Sequence, residues 1–322
     1  MIEREALPMA RADLHVHSSY SRVNGNMPFL RSRDCYSSPL ALYWTAKGRG
    51  MDIVTITDHD SIDGCLELLE KLPGATDIIV GEEVSCRFQD VDIEVHLGVY
   101  GMTEALHRDL QPIRRNVFEV IELLQKTGVF FALNHPLHFY RGQVSLAEYF
   151  RLLSLVPAIE VRNGTMLPLH NRLIEEILAR RRAAGHPLAV VAGSDAHTLR
   201  RIGRTWASAP GRTAAEFLAS LRAGLGTAGG DHGGAAVVAA DAYGVVARYA
   251  ASLFGFGPRD HSGWHRVVCG LCVAASVPIQ FLPALIPVIK KNEERRAVKN
   301  VMAVLSALPA SALPLWLPQL PL

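Results

Sequence analysis

Between residues 12 and 206, hydrophobic positions fall into short runs separated by stretches of helical period. "MDIVTIT" (51–57), "ATDIIVGEEVS", "IEVHLGVYG" (93–101), "VFFALNHP", "AIEVRNG" and "LAVVAGSDAH" predict strands. Between them, "PLALYWTAKGRG" predicts a helix that stops at glycine. "LHRDLQPIRRNVFEVIELLQKTG" predicts one long helix ending at Gly128, and "SLAEYFRLLSLV" and "HNRLIEEILARRRAAG" predict two more. A repeating strand-then-helix order calls for parallel strands joined by helical crossovers, as an open sheet or a barrel.

After about residue 224 the pattern changes. "GLGTAGGDHGG" is glycine-rich and predicts a linker or mobile loop over 225–234. From 235 to 322 the chain is apolar and predominantly helical in pattern. This divides the chain into a unit at 1–224, the linker, and a C-terminal segment. Within that segment "VVCGLCVAASVPIQFLPALIPVI" (267–289) runs 23 residues without a charge, long enough to cross a bilayer. Pro278, Pro283, Pro287 and Gln280 weaken it as a straight span. The basic stretch at 290–299 would stay on the cytoplasmic side. One crossing would then place the rest of the chain outside. Two arrangements avoid that: a helical hairpin embedded at the inner membrane face through 258–322, or a hydrophobic cap on the N-terminal unit or a protein partner. "IPVIKKNEERR" itself reads as a solvated basic segment.

Composition narrows the classes. Of 322 residues, 49% are hydrophobic and 20% charged, which makes a well-cored globular chain. A formal charge of +2 gives no global field for nucleic acid. The five cysteines lack the paired spacing of a secreted scaffold, and "MIEREALPMARADLHV" has no continuous apolar core of a signal peptide, so a cytoplasmic protein is expected. "CGLC" has redox spacing, but in an apolar run both cysteines read as small apolar residues. "GLGTAGG" is no phosphate loop, since no strand precedes it and no lysine-serine/threonine pair follows.

Candidate chemistry begins at "DLHVHSSYS". In a strand, residues i and i+2 share a face, so His15 and His17 point together, and two neutral imidazoles aimed at one point suit a divalent metal. Other strands end in potential ligands too: Asp58, His59 and Asp60 in "TDHD", Glu82 and Glu83 in "GEEVS", His96, His135, Glu160, and Asp195 with His197. In a parallel α/β architecture such ends converge on one rim. Asp13, Asp58 and Asp60 read as acceptors orienting imidazole N–H groups, or equally as turn and cap acids.

The set "DLHVHS", "TDHD", "GEEVS", "VHLGVYG", "NHP" and "GSDAH" resembles the PHP superfamily, named for polymerase and histidinol phosphatase domains, over roughly residues 12–206. The resemblance implies a distorted (β/α)7 barrel carrying an apolar, mainly helical C-terminal extension, and two or three divalent metals (manganese, zinc or iron) in the barrel mouth. It implies hydrolysis of a phosphate ester, whether nucleotide, short oligonucleotide or sugar phosphate, by a metal-activated hydroxide. By the same likeness His15 and His17 hold one metal with Asp195, Glu83 bridges two, His96 and His135 complete the second, and His59 and His197 bind a third. Relatives place an aspartate just after the H-x-H pair. Here "SYSRVNGN" offers Arg22 and Asn24 and no acid, so either Asp34 folds back to replace it or the third site is weak, with Arg22 free for phosphate.

Arg162 and Arg204, with Arg200 and Arg201 behind, are candidates for gripping phosphate oxygens. Glu160 reads as a structural or substrate-facing carboxylate, and His138 or His170 as a general acid. Two other readings compete with a phosphoesterase. One is a non-catalytic regulatory or scaffold protein that binds metal and is tethered by its C-terminal segment. The other is an amidohydrolase, which would want a lysine between its metals where Glu83 stands.

Overall fold

A computed structural model describes residues 7–21, 28–88, 93–138, 146–256, 262–276 and 285–307. Nine strands form one sheet in chain order: β1 (Met9–Asp13), β2 (Ile53–Ile56), β3 (Ile78–Arg87), β4 (Glu94–Tyr100), β5 (Phe130–Leu133), β6 (Ala158–Asn163), β7 (Ala189–Gly193), β8 (Thr205–Pro210) and β9 (Thr227–Gly230). Pairing of β1 with β8 closes the first eight into a barrel, and β9 lies outside the closure against β8. The expected α/β barrel is therefore present, with eight strands in the closure where the resemblance implied seven. β1–β2–β3 and β5–β6–β7 pair in parallel. β3–β4, β4–β5, β7–β8 and β8–β1 are antiparallel, where the strand-helix alternation predicted parallel pairs throughout. The cause at β3–β4 is connection length: the short stretch from Arg87 to Glu94 has no room for a crossover helix.

Buried strands explain the continuous apolar runs: β2, β5 and β7 are buried at every position, as strands covered on both faces must be. One cluster draws Ala12, Ile53, Ile79, Tyr100, Ala132, Ala158, Val191 and Ala207 from eight strands, so it fills the barrel interior. Helix α7 (Ala214–Arg222) adds Phe217 and Leu221 to that cluster and touches β2, β3, β7 and β8, which closes one end. The other end is left for the site.

The remaining helices coat the outside: α1 (Pro39–Gly48), α2 (Asp63–Lys71), α3 (Glu104–Leu110), α4 (Val117–Thr127), α5 (Leu146–Leu155) and α6 (Pro168–Ala183). The single helix predicted up to Gly128 is two. After α3 the chain passes through a 3-10 turn at Gln111–Ile113, and Asn116 then caps α4 with its side chain on the Phe118 N–H. At its far end, Gly128 stops α4 in the left-handed conformation as predicted.

Three helices follow β9: α8 (Ala235–Leu253), α9 (Gly263–Ser276) and α10 (Leu285–Ala307). Two local expectations are corrected here. The glycine-rich stretch 225–234 contains β9, because only glycine at 229 lets the strand pass the Trp206 indole, whose ring would lie 2.8 Å from a Cβ. The basic stretch is not wholly solvated, for α10 packs on α6 and α8, with Val298 and Val301 fully buried beside Leu173, Ile174 and Ile177. Lys291 and Glu294 are buried there and bonded to each other at 2.5 Å. Of the 23-residue uncharged run, residues 277–284 lie outside the described residues, and the rest is divided between α9 and α10. Among the described residues no helix is long and apolar enough to cross a membrane. Cys269 packs against Tyr249 and Leu253 as a small apolar residue, while Cys272 is exposed, and neither is in a disulfide.

Barrel closure and ligand placement meet at Gly193. A Cβ there would collide with the backbone nitrogen and Cβ of His15 on the neighbouring strand end. Gly193→Ala is expected to cost about 3 kcal/mol, the upper end of an overpacked core, measured by urea unfolding in the presence of a chelator. A loss below about 0.5 kcal/mol, the scale of a neutral surface change, would mean that this contact does not constrain the closure.

Candidate metal centre

All eight predicted ligands converge on the open end of the barrel. His15 and His17 follow β1, His59 follows β2, His135 follows β5, and Asp195 and His197 follow β7. Glu83 lies within β3 rather than at its end, and antiparallel β4 brings His96 to the same rim, opposite Ser85. Glu82, one residue earlier, faces away as strand alternation demands and holds His107 at 2.8 Å.

Glu83 is the centre. Its Oε1 lies 3.2 Å from His15 Nε2, 3.2 Å from His96 Nδ1 and 3.2 Å from His135 Nε2. Its Oε2 lies 3.1 Å from His59 Nδ1 and 3.5 Å from His17 Nε2. Asp195 Oδ1 stands 3.6 Å from His15 Nε2 and 3.4 Å from His17 Nε2. Four overlapping groups have ligand atoms within 4.8 Å of one another: His15–His17–Glu83, His15–His135–Asp195, His59–Glu83–His96 and His17–His59–His197.

Do these residues fit a cation? His15 Nε2, His17 Nε2, His59 Nδ1, His96 Nδ1 and Glu83 Oε2 are buried without a hydrogen-bond partner. Orphaned acceptors crowded together are costly, and a divalent ion among them removes the cost. The opposite nitrogens are anchored. His15 Nδ1–H donates to Glu160 Oε1 at 3.0 Å, His96 Nε2–H to Glu94 Oε1 at 2.9 Å, and His197 Nδ1–H to the Asp195 carbonyl at 3.2 Å. Ser21 Oγ lies 3.3 Å from His17 Nδ1 and donates to Asp34 Oδ2 at 3.1 Å, so the imidazole N–H faces the hydroxyl. Each anchor leaves the other nitrogen's lone pair free for the cluster, as metal-binding histidines require. The residues fit.

Asp34 does fold back, with Oδ2 3.8 Å from His59 Nε2 and Oδ1 buried without a partner. Arg22 and Asn24 lie outside the described residues.

The neighbouring acids act differently from expectation. Asp13 accepts the backbone N–H groups of Ser194 (2.8 Å) and Gly203 (2.7 Å), Asp58 accepts those of the Ser18 backbone (2.5 Å) and hydroxyl (2.6 Å), and Asp60 accepts that of Ser85 (2.8 Å). They hold the ligand-bearing loops by the backbone rather than orienting imidazoles. Glu160 does the orienting, and its Oε2 also accepts the His135 N–H at 2.7 Å. Burial pushes the Asp13 carboxyl up to about 6 and that of Asp58 up to about 7. His135 (φ 27°) and Asp195 (φ 52°) sit in the left-handed region, strain of the kind that clusters at functional sites.

Neither catalytic arginine candidate reaches the cluster. Arg162 Nη2 donates to Glu175 at 2.8 Å and its Nη1 to the Gly230 carbonyl at 3.2 Å, because a bulge between Glu160 and Arg162 sends the two apart. Arg204 is exposed outside the mouth, Arg200 is exposed too, and Arg201 donates to the Gly164 carbonyl. His170 is structural: its Nε2 accepts the Leu137 N–H at 3.3 Å, and burial lowers it to about 4. His138 does line the mouth, its ring 5.3 Å from that of His135.

Sequence reasoning missed the C-terminal helices here. Asp241 on α8, the single acid in "AAVVAADAYGVV", is buried and takes the His197 N–H at 3.4 Å and the Thr198 hydroxyl. Lys290, Lys291 and Glu294 of α10 line the same cavity of about 530 Å³. A lone acid in an apolar helix was the available signal.

A family model described as PHP-associated matches residues 174–225. An uncharacterized protein of Methanocaldococcus jannaschii is 30% identical over 128 residues, 39% of this chain and 67% of that protein. Among solved structures, a two-domain protein of Bacteroides vulgatus containing a predicted PHP-like metal-dependent phosphoesterase is similar at 16% identity, with 74% of this chain and 70% of that one covered and a TM-score of 0.47. PsfC of Pseudomonas syringae is similar at 19% identity, 76% and 97% coverage and a TM-score of 0.47. The chain belongs to the same family as that Methanocaldococcus protein, and its likeness to PHP proteins rests on the PHP-associated match over residues 174–225.

Proposed function

We propose that this protein hydrolyses a phosphate ester with two or three divalent cations held by the cluster. The observation that carries the reading is the buried Glu83 carboxylate, which belongs to two of the candidate ligand groups at once, His15–His17–Glu83 and His59–Glu83–His96, with histidines on both of its oxygens. His15, His17, His135 and Asp195 would hold one side, His59 and His96 the other, and His197 with His17 and Asp34 a third. When bound, such cations acidify water and offset charge on the phosphoryl oxygens. An N/O donor set of this kind accepts manganese, iron or zinc.

The chain's own residues do the rest. Glu160, Glu94, Ser21 and the Asp195 carbonyl fix which nitrogen faces inward for four of the six imidazoles, His15, His96, His17 and His197. Asn163 and Thr165 bind Asp195 Oδ2 at 3.3 and 3.0 Å, which keeps Oδ1 on the cluster. His138 lines the cavity wall without facing Glu83, its ring 5.3 Å from that of His135. The scaffold alternative is weakened because all eight ligands are present and aimed together.

Proton linkage gives one test. Burial alone would lower His96, but Glu83 and then Glu94 overcome it and raise it to about 10. At pH 7 it holds a proton that a cation must displace. Metal affinity is expected to rise with pH between about 6 and 9, with protons released through His96 and through His15, which burial would lower but Glu83, Asp195 and Glu160 hold well above the usual histidine range, read by calorimetry in two buffers of different ionisation enthalpy. No proton release would remove His96 from the site.

His17→Ala is expected to lose at least one bound metal and to lower turnover of a phosphate-ester panel by a factor of about 10² to 10³, on the order of 3–4 kcal/mol of transition-state stabilisation. Metal analysis and initial rates measure both. Unchanged metal content together with unchanged rates would end the proposal.

A further inference from the structure

Resting on the reading that a phosphate binds at the cluster, the geometry points to the other half of the substrate. The helix α8 turns Val238, Asp241, Ala242 and Val245 toward the mouth, spaced i, i+3, i+4 and i+7 on one helical face. Asp241 on that stripe is tied to His197 and Thr198, so the stripe is locked to the metal end of the cavity. Val238, Ala242 and Val245 are only half-buried, although they are apolar and stand inside the cavity. Across from them lies α10, where Lys291 is neutralised by Glu294 and Lys290 stands at the rim. The cavity therefore has a ligand-rich floor, one apolar wall and one weakly basic wall.

We infer that the C-terminal helices form the specificity wall of the active site, and that the substrate is a phosphate ester with a compact, largely apolar body, aryl or flat heterocyclic, lying against α8. A polyhydroxylated sugar would leave its hydroxyls facing Val238, Ala242 and Val245 without partners. A nucleic-acid strand needs a basic track along its backbone, and this mouth presents Lys290 with Lys291 already paired. The cavity of about 530 Å³ lies in the range of small-molecule sites and holds one ring system beside a phosphate.

The test measures binding by calorimetry on the full chain loaded with Mn²⁺, using inorganic phosphate, methylphosphonate and phenylphosphonate as non-hydrolysed probes. Phenylphosphonate is expected to bind about tenfold tighter than methylphosphonate, the scale of burying one face of a ring. In the double variant Val238→Ser, Val245→Ser that ratio is expected to fall to about one, with inorganic phosphate affinity changed less than twofold. Ala242→Trp, which fills the cavity from its half-buried place on the α8 wall, is expected to weaken phenylphosphonate alone, and it keeps the test valid should the double variant fail to fold. A ratio near one in the natural chain, or one that persists in either variant, overturns the inference. A chain that turns over phosphate esters without phenyl preference sinks this inference alone. A chain with the preference but no turnover sinks the phosphoesterase reading alone.

Discussion

A single buried carboxylate organises this molecule. Glu83 is fully buried, and burial by itself would raise it, yet the imidazoles of His15, His96 and His59 hold it well below the usual carboxylate range. A bare anion in the interior is among the most costly groups a fold can bury. It is tolerable here only because five histidines from four different chain segments reach its two oxygens, with the Asn134 amide donating at 2.9 Å. Barrel closure is what brings those segments within reach. The demand works in both directions: strands must register so that each ligand arrives, and the ligands crosslink strand ends that are otherwise held only by short ladders, such as the pairing of Gly193 with Trp206.

Around that centre the three aspartates at the strand ends, Asp13, Asp58 and Asp60, hold backbone rather than imidazole. Asp13, Asp58 and Asp60 each take N–H groups from loops that carry a ligand, and Glu160 alone serves an imidazole and a backbone group together. The reason is geometric. His135 and Asp195 have left-handed backbone: the Glu160 carboxylate takes the His135 N–H, while the Asp195 N–H donates to the His15 carbonyl at 2.7 Å and Asp13 takes the N–H of Ser194 just before it.

The strands and the ligands were legible because both follow simple periodicities. Continuous apolar runs marked β2, β5 and β7, and the i, i+2 rule aimed His15 with His17 while sending Glu82 the other way. What could not be read depended on register and on long-range partners. Nothing local says that Arg162 is turned from the mouth by a bulge, or that Asp60 meets the Ser85 N–H instead of a histidine. The strand β8 was overlooked because "TWASAP" alternates small residues with no strong apolar signal, and its Ala207 and Ala209 are small in order to fit the barrel interior.

The C-terminal segment shows how hydrophobicity alone misdirects. An uncharged run of bilayer length has the same composition whether it meets lipid, a partner or its own barrel. Its fate here is set by the charges that interrupt the neighbouring helices. Asp241 finds the His197 N–H, and Glu294 Oε1 accepts the Leu167 N–H at 2.8 Å while its other oxygen meets Lys291. Each of these polar groups is buried against the barrel and satisfied there, and removing the helices into lipid would strand them and their barrel partners alike. Hydrogen bonds from α8 and α10 to the β7 and β6 loops thus fix these two helices beside the metal cluster, where the apolar face of α8 lines the cavity.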